Sequence, residues 1–172
     1  MNLQEADLFI IDRIVQPAMD ALVHWTKKPN SNFILAQCFC WIMLAYSAAM
    51  FARDLAHREW PAFVYLGLVL GVGGLLYTLR QCEKEGVRDG TERTVSRFRS
   101  WNPWGETRAG LIGMYAVFLL TDITGFGPDS PAYVRWTDWI GAILLLATLY
   151  IAACTPKPLQ PVKAASLQFI RC

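Results

Sequence analysis

The chain has 172 residues, 54% of them hydrophobic and 17% charged, with a formal net charge of +2. That length fits one domain, and so small a charge excludes the strong positive field of a nucleic-acid-binding domain. The charged residues gather at the two ends and in one middle segment, leaving long apolar stretches between them.

Residues 1–28 read as an amphipathic helix on the cytoplasmic side or at the interface. Leu8, Ile11, Val15, Ala18 and Leu22 recur at steps of three and four, and Phe9, Ile14 and Met19 widen the stripe. Asp7, Asp12, Asp20 and His24 fall largely off it. Pro17 is expected to kink or divide the helix near 13–16, since proline lacks an N–H and clashes one turn back. With Glu5, Asp7, Asp12 and Asp20 set against Arg13, Lys27 and Lys28, the segment has little attraction for anionic lipid. Docking on another helix, of its own chain or a neighbour's, suits it better, with Leu8, Ile11, Val15 and Leu22 as the contact. The acidic first seven residues do not resemble the basic start of a signal peptide.

Two charge-free stretches follow: Pro29 to Ala52, 24 residues, and Trp60 to Leu79, 20 residues. Each is long enough to cross a hydrocarbon core of ~30 Å at ~1.5 Å per residue. Spans are expected at about 33–52 and 61–79. Asn30-Ser31-Asn32 supplies capping chemistry before the first, and Pro61 suits the first turn of the second. An inner loop, 80–107, comes next. Asp89-Gly90 marks a turn there, Asp89 and Glu92 have capping-box spacing, and Val95, Phe98 and Trp101 recur at three-residue steps. A short surface helix ending at Asn102-Pro103 is expected.

A third span, 108–124, is weaker: 13 uncharged residues run from Ala109 to Thr121 before Asp122, with Thr107 and Arg108 snorkelling at one end. A fourth, 138–154, ends at Cys154-Thr155-Pro156. The proline-punctuated stretch 156–172 reads as a cytoplasmic tail. Four spans put 13 of the 16 Lys and Arg residues on the side of both termini and the 80–107 loop, leaving Arg53, Arg58 and Arg135 opposite. The positive-inside rule then makes both termini cytoplasmic and the location the inner membrane. Trp25, Trp101 and Trp104 mark one interface; Trp60, Tyr133, Trp136 and Trp139 mark the other. The expected fold class is therefore an all-α integral membrane protein, a four-transmembrane-helix bundle (residues 29–155) with an N-terminal amphipathic helix.

Chemistry is sparse. Gly67, Gly71 and Gly74 put small residues on one helix face, and Gly110, Gly113 and Gly141 do the same elsewhere. Small residues let membrane helices approach closely, within one bundle or between copies. Packing inside the bundle is the favoured expectation; an oligomer contact is the other. Asp122 is expected to pair with Arg135 or Arg58 at the outer boundary, and the deeper polar residues, Gln37, Ser47 and Thr148, do not make an ion path. His24 and His57 lie at opposite ends of the first span, which rules out a shared haem. Cys38 and Cys40 point ~200° apart on a helix, so they suit packing rather than a metal or disulfide. Five cysteines, an odd number, are expected as reduced thiols on the cytoplasmic side. Gly125-Phe126-Gly127-Pro128 reads as a turn.

Arg93, Arg97 and Arg99 with Trp101 and Trp104 could meet an anionic headgroup or a partner's acidic surface. No catalytic residue, metal or cofactor is expected. Membrane lipids are the expected partners, together with further copies or other membrane subunits. The leading reading is a non-catalytic scaffold or subunit of a homo- or hetero-oligomeric membrane complex. Alternatives are an oligomeric pore or membrane-perturbing effector, and a lipid- or quinone-handling enzyme or carrier using Arg97, Arg99 and Trp104.

Overall fold

In the computed structural model, which describes residues 2–28, 30–57, 62–89, 98–99, 101–124 and 132–155 (side chains of 85–89, 122–124 and 132–138 excepted), every regular element is helical. Helix α1 spans Leu3–Ile10, α2 Gln16–Thr26, α3 Ser31–His57, α4 Ala62–Asp89, α5 Glu106–Thr124 and α6 Ala132–Ala153. Two of these are long and apolar enough to cross a membrane, Ser31–His57 with 27 residues and the 23 residues Ala62–Lys84; the apolar run Trp139–Ala153 is shorter.

Helix α1 starts in a capping box: the Glu5 N–H donates to Asn2 Oδ1 at 2.8 Å, and the Asn2 N–H donates to Glu5 Oε2 at 3.0 Å. Between α1 and α2 the chain makes a π-helical segment, Ile11–Val15, in which the Gln16 N–H bonds the Ile11 carbonyl five residues back. Pro17, at the start of α2, is the cause. Its ring would collide with the carbonyl one α-turn earlier, and the wider π turn accommodates it. The insertion also resets the helix phase. Side chains four residues apart overshoot one turn by ~40° at each step. Absorbing one extra residue keeps Asp7, Ile11, Met19 and Val23 on a single buried face. Leu8, Val15 and Leu22 pack partly buried against the same core, whereas Phe9 and Ile14 are exposed. The segment thus docks on its own chain. Helix α2 ends where Lys27 turns left-handed, with φ 55°.

The core forms where α3 packs on α4 and on α6. Phe33, Ala36, Cys40, Met43 and Ser47 recur on α3 at alternating steps of three and four, the spacing of a helix–helix seam. Val72, Leu75, Leu76, Leu79 and Cys82 face it from α4, and Leu149, Tyr150, Ala152 and Ala153 from α6. Cys38 is exposed while Cys40 is buried, and no disulfide joins the described cysteines 38, 40, 82 and 154.

Helix α5 makes only slight contact with α6. Ile112, Met114, Val117, Phe118, Leu119 and Leu120 on it are all exposed. The glycines also differ from the favoured expectation. A Cβ added to Gly67, Gly71, Gly74, Gly110, Gly113 or Gly141 would find no neighbouring heavy atom within 4 Å. Packing inside the bundle is carried instead by the large side chains of α4, each with many dispersion contacts. Helix α4 also runs ten residues past the expected end at Leu79. Its charged end is held in place: Arg80 lies 5.4 Å over the Trp41 ring, and Gln37 Nε2 donates to Glu83 Oε2 at 2.5 Å. The surface helix expected over 89–101, the 125–128 turn and the tail lie largely or wholly outside the described residues, as does the side chain of Asp122.

Candidate functional site

The polar side chains with long-range partners collect at one end of the bundle, where the N-terminal segment lies across the start of α5 and the end of α6. At its centre Arg108 and Asp7 form a two-point ion pair. Arg108 Nε donates to Asp7 Oδ1 at 2.9 Å and Nη2 to Oδ2 at 2.5 Å. Tyr150 donates its hydroxyl to Oδ1 at 3.0 Å, and Arg108 Nη1 donates to the Phe98 carbonyl at 2.6 Å. The guanidinium also lies 5.5 Å from the Tyr150 ring centroid. Arg108 is 0% exposed and Asp7 5%.

This placement departs from the expectation that Arg108 snorkels and that Asp7 lies off the docking face. Arg108 sits in the first turn of α5, where the helix macrodipole disfavours a cation. Burial compounds that penalty, and only a close anion with further hydrogen bonds offsets it. Asp7 supplies the anion, and Tyr150 satisfies a carboxylate lone pair that Arg108 leaves open. Nothing in the local sequence singles this pair out: Glu5, Asp7, Asp12 and Asp20 all line the same segment, and Arg108 lies 101 positions away from Asp7.

A second link joins the same segment to the end of α6. Gln16 donates from Nε2 to the Thr155 carbonyl at 2.7 Å and accepts at Oε1 from the Thr155 N–H at 2.9 Å. The same Nε2 reaches Asp20 Oδ1 at 2.9 Å, which fixes the amide orientation. Gln16 and Asn32 both bond the backbone just past the end of α6 at Ala153. Asn32 Nδ2 donates to the Cys154 carbonyl at 3.1 Å. Its Oδ1 has no hydrogen-bond partner among the described residues.

Of the residues singled out as a headgroup or partner surface, Arg93 and Arg97 lie outside the described residues. Arg99 pairs with Asp12 at 2.5 Å, so an acid of the chain itself meets it. Trp104 packs on Phe98 with ring centroids 4.6 Å apart. Trp101 lies against Gly105, where an added Cβ would come within 2.5 Å of the indole. Trp104 therefore packs beside Phe98, whose carbonyl accepts from Arg108. Among the described residues no three His, Cys, Asp or Glu side chains gather as a metal site.

Chemically the arrangement is a fastening: a guanidinium fork, a hydroxyl and a carboxylate joined by hydrogen bonds. Comparison with protein-family models, curated proteins and solved structures returned no match for this chain.

Proposed function

We propose that this chain is a non-catalytic integral membrane protein that acts as a scaffold or subunit of a homo- or hetero-oligomeric membrane complex. The supporting observation is its uncovered apolar surface. In α3 and in α4, only 28% of the most apolar window is buried within the molecule. Helix α5 displays Val117, Phe118 and Leu120 in the open, and a helix apolar on all sides belongs in lipid or inside an assembly. Four crossings by α3, α4, α5 and α6 accord with these surfaces. The 19 residues of α5 and 22 of α6 measure roughly 28 and 33 Å at the α-helical rise. Both lengths are comparable with a hydrocarbon core of ~30 Å, although the uncharged runs within them, 109–121 and 139–153, are shorter and leave charged residues at the helix ends. Both termini then face the cytoplasm at the inner membrane, on the side where basic residues concentrate.

Assembly follows from the glycines. Gly67, Gly71 and Gly74 lie exposed on α4, and among the described residues no other part of the chain comes within 4 Å of a Cβ added there. A second helix can approach such a face closely, where membrane helices gain their packing energy. The test is the intact mass of the protein released from lipid nanodiscs. A particle larger than the 19.4 kDa chain is expected. A lone chain at every lipid ratio overturns the scaffold reading, and a protein extracted by alkaline carbonate without detergent overturns the membrane reading.

A further inference from the structure

We infer that Arg108 and Tyr150 form an oxyanion receptor that Asp7 fills from within the chain, making residues 3–26 a plug displaceable by a phosphate-bearing anion. The inference rests on the proposed membrane setting only for one of the two anion sources considered below.

The donors and the anion belong to different parts of the fold. Three donors, Arg108 Nε, Arg108 Nη2 and the Tyr150 hydroxyl, converge on the two Asp7 oxygens. All three come from the bundle, from α5 and α6, while the carboxylate comes from α1. The fork is aimed before any anion arrives, because Nη1 is tied to the Phe98 carbonyl. A planar fork with a hydroxyl beside it suits a phosphate as well as it suits a carboxylate.

The polarity is repeated one residue from Phe98. Arg99, on the bundle side, pairs with Asp12, on the plug side, and this pair is partly open to water. Both charged contacts thus set an arginine outside residues 3–26 against an acid within them.

Adhesion alone does not explain the ion pair. Desolvating both charges offsets most of their attraction, and apolar side chains of similar volume hold two surfaces together at least as well. A charged plug differs from an apolar one in being exchangeable: a competing anion restores the hydrogen bonds that Asp7 gives up.

The test uses the full chain in phosphatidylcholine nanodiscs, with hydrogen exchange of the amides of residues 3–26 as the readout. One arm adds inorganic phosphate to the buffer, and the other replaces part of the lipid with phosphatidic acid. The receptor predicts about tenfold faster exchange across 3–26 in at least one arm, as expected when one ligand displaces another. Response to phosphate identifies a soluble source; response to phosphatidic acid alone identifies a headgroup. Unchanged exchange in both arms overturns the inference. The Asp7→Ala variant supplies the second measurement. The effective probe must raise its melting midpoint, or restore its folding if it is unfolded without anion, and must do neither for Asp7→Ala combined with Arg108→Gln. Equal effects on the two variants, or none on the first, also overturn the receptor. A chain that does not enter nanodiscs defeats the membrane reading by itself, and the phosphate arm in buffer then decides the receptor.

Discussion

Asp7 and Arg108, 101 positions apart in the chain, join as a buried two-point ion pair at the junction of three helices. Neither charge has water to fall back on, so each depends on the other. Replacing Arg108 with Met leaves a buried carboxylate and should destabilise the fold by about 3–5 kcal/mol, whereas combining it with Asp7→Leu should recover much of that loss. Equilibrium unfolding of the two single variants and the double variant measures this. A double variant as unstable as the sum of the singles would contradict it.

The clasp between Gln16 and Thr155 is made by two hydrogen bonds to main chain. Truncation by Gln16→Ala leaves the Thr155 N–H and carbonyl without those partners, at a cost of about 1–3 kcal/mol. Amide exchange at Thr155 should accelerate while exchange in the middle of α3 stays unchanged. Equal acceleration at both places would mean global unfolding rather than release of the clasp.

Gly105 lies against an indole. A methyl group at this position would sit 2.5 Å from the Trp101 ring, inside van der Waals contact. Gly105→Ala should displace that ring at a cost of about 1–3 kcal/mol, and the shift should appear in tryptophan fluorescence relative to a Trp101→Phe control. An unaltered spectrum would place the indole elsewhere.

At Gly71 the expectation is the reverse, because nothing in the same chain lies near an added Cβ. Gly71→Leu should change the stability of the single chain by no more than about 0.5 kcal/mol. The mass of the particle should nevertheless fall to that of one 19.4 kDa chain. Assembly that survives the substitution would remove this face from the contact.

Apolar runs made α3 and the start of α4 legible, because a long charge-free segment has few other solutions than a long helix. Helix ends were less so. Arg80 and Glu83 look like a loop by charge, yet Trp41 and Gln37 on α3 hold them in helix. Periodicity puts Ile11 and Val15 on a docking face, but cannot place Asp7 on it: the partner that makes burial tolerable lies on another helix, and no local pattern shows which acid will meet which arginine. The glycine spacing was visible too. What spacing does not encode is whether the neighbour belongs to the same chain, and here the large side chains of α4 take the intramolecular contacts.

The closure between Gln16 and Thr155 also has a temporal side. Residues 3–26 precede the bundle helices in the chain, yet their contacts with Arg108, Tyr150 and Thr155 cannot form until almost the whole described chain exists. Until then Asp7 and Gln16 lack their final partners, and closing so long a loop carries its full entropic penalty at the end. A segment made before the bundle is thus fastened after it, and its polar partners are the last to arrive.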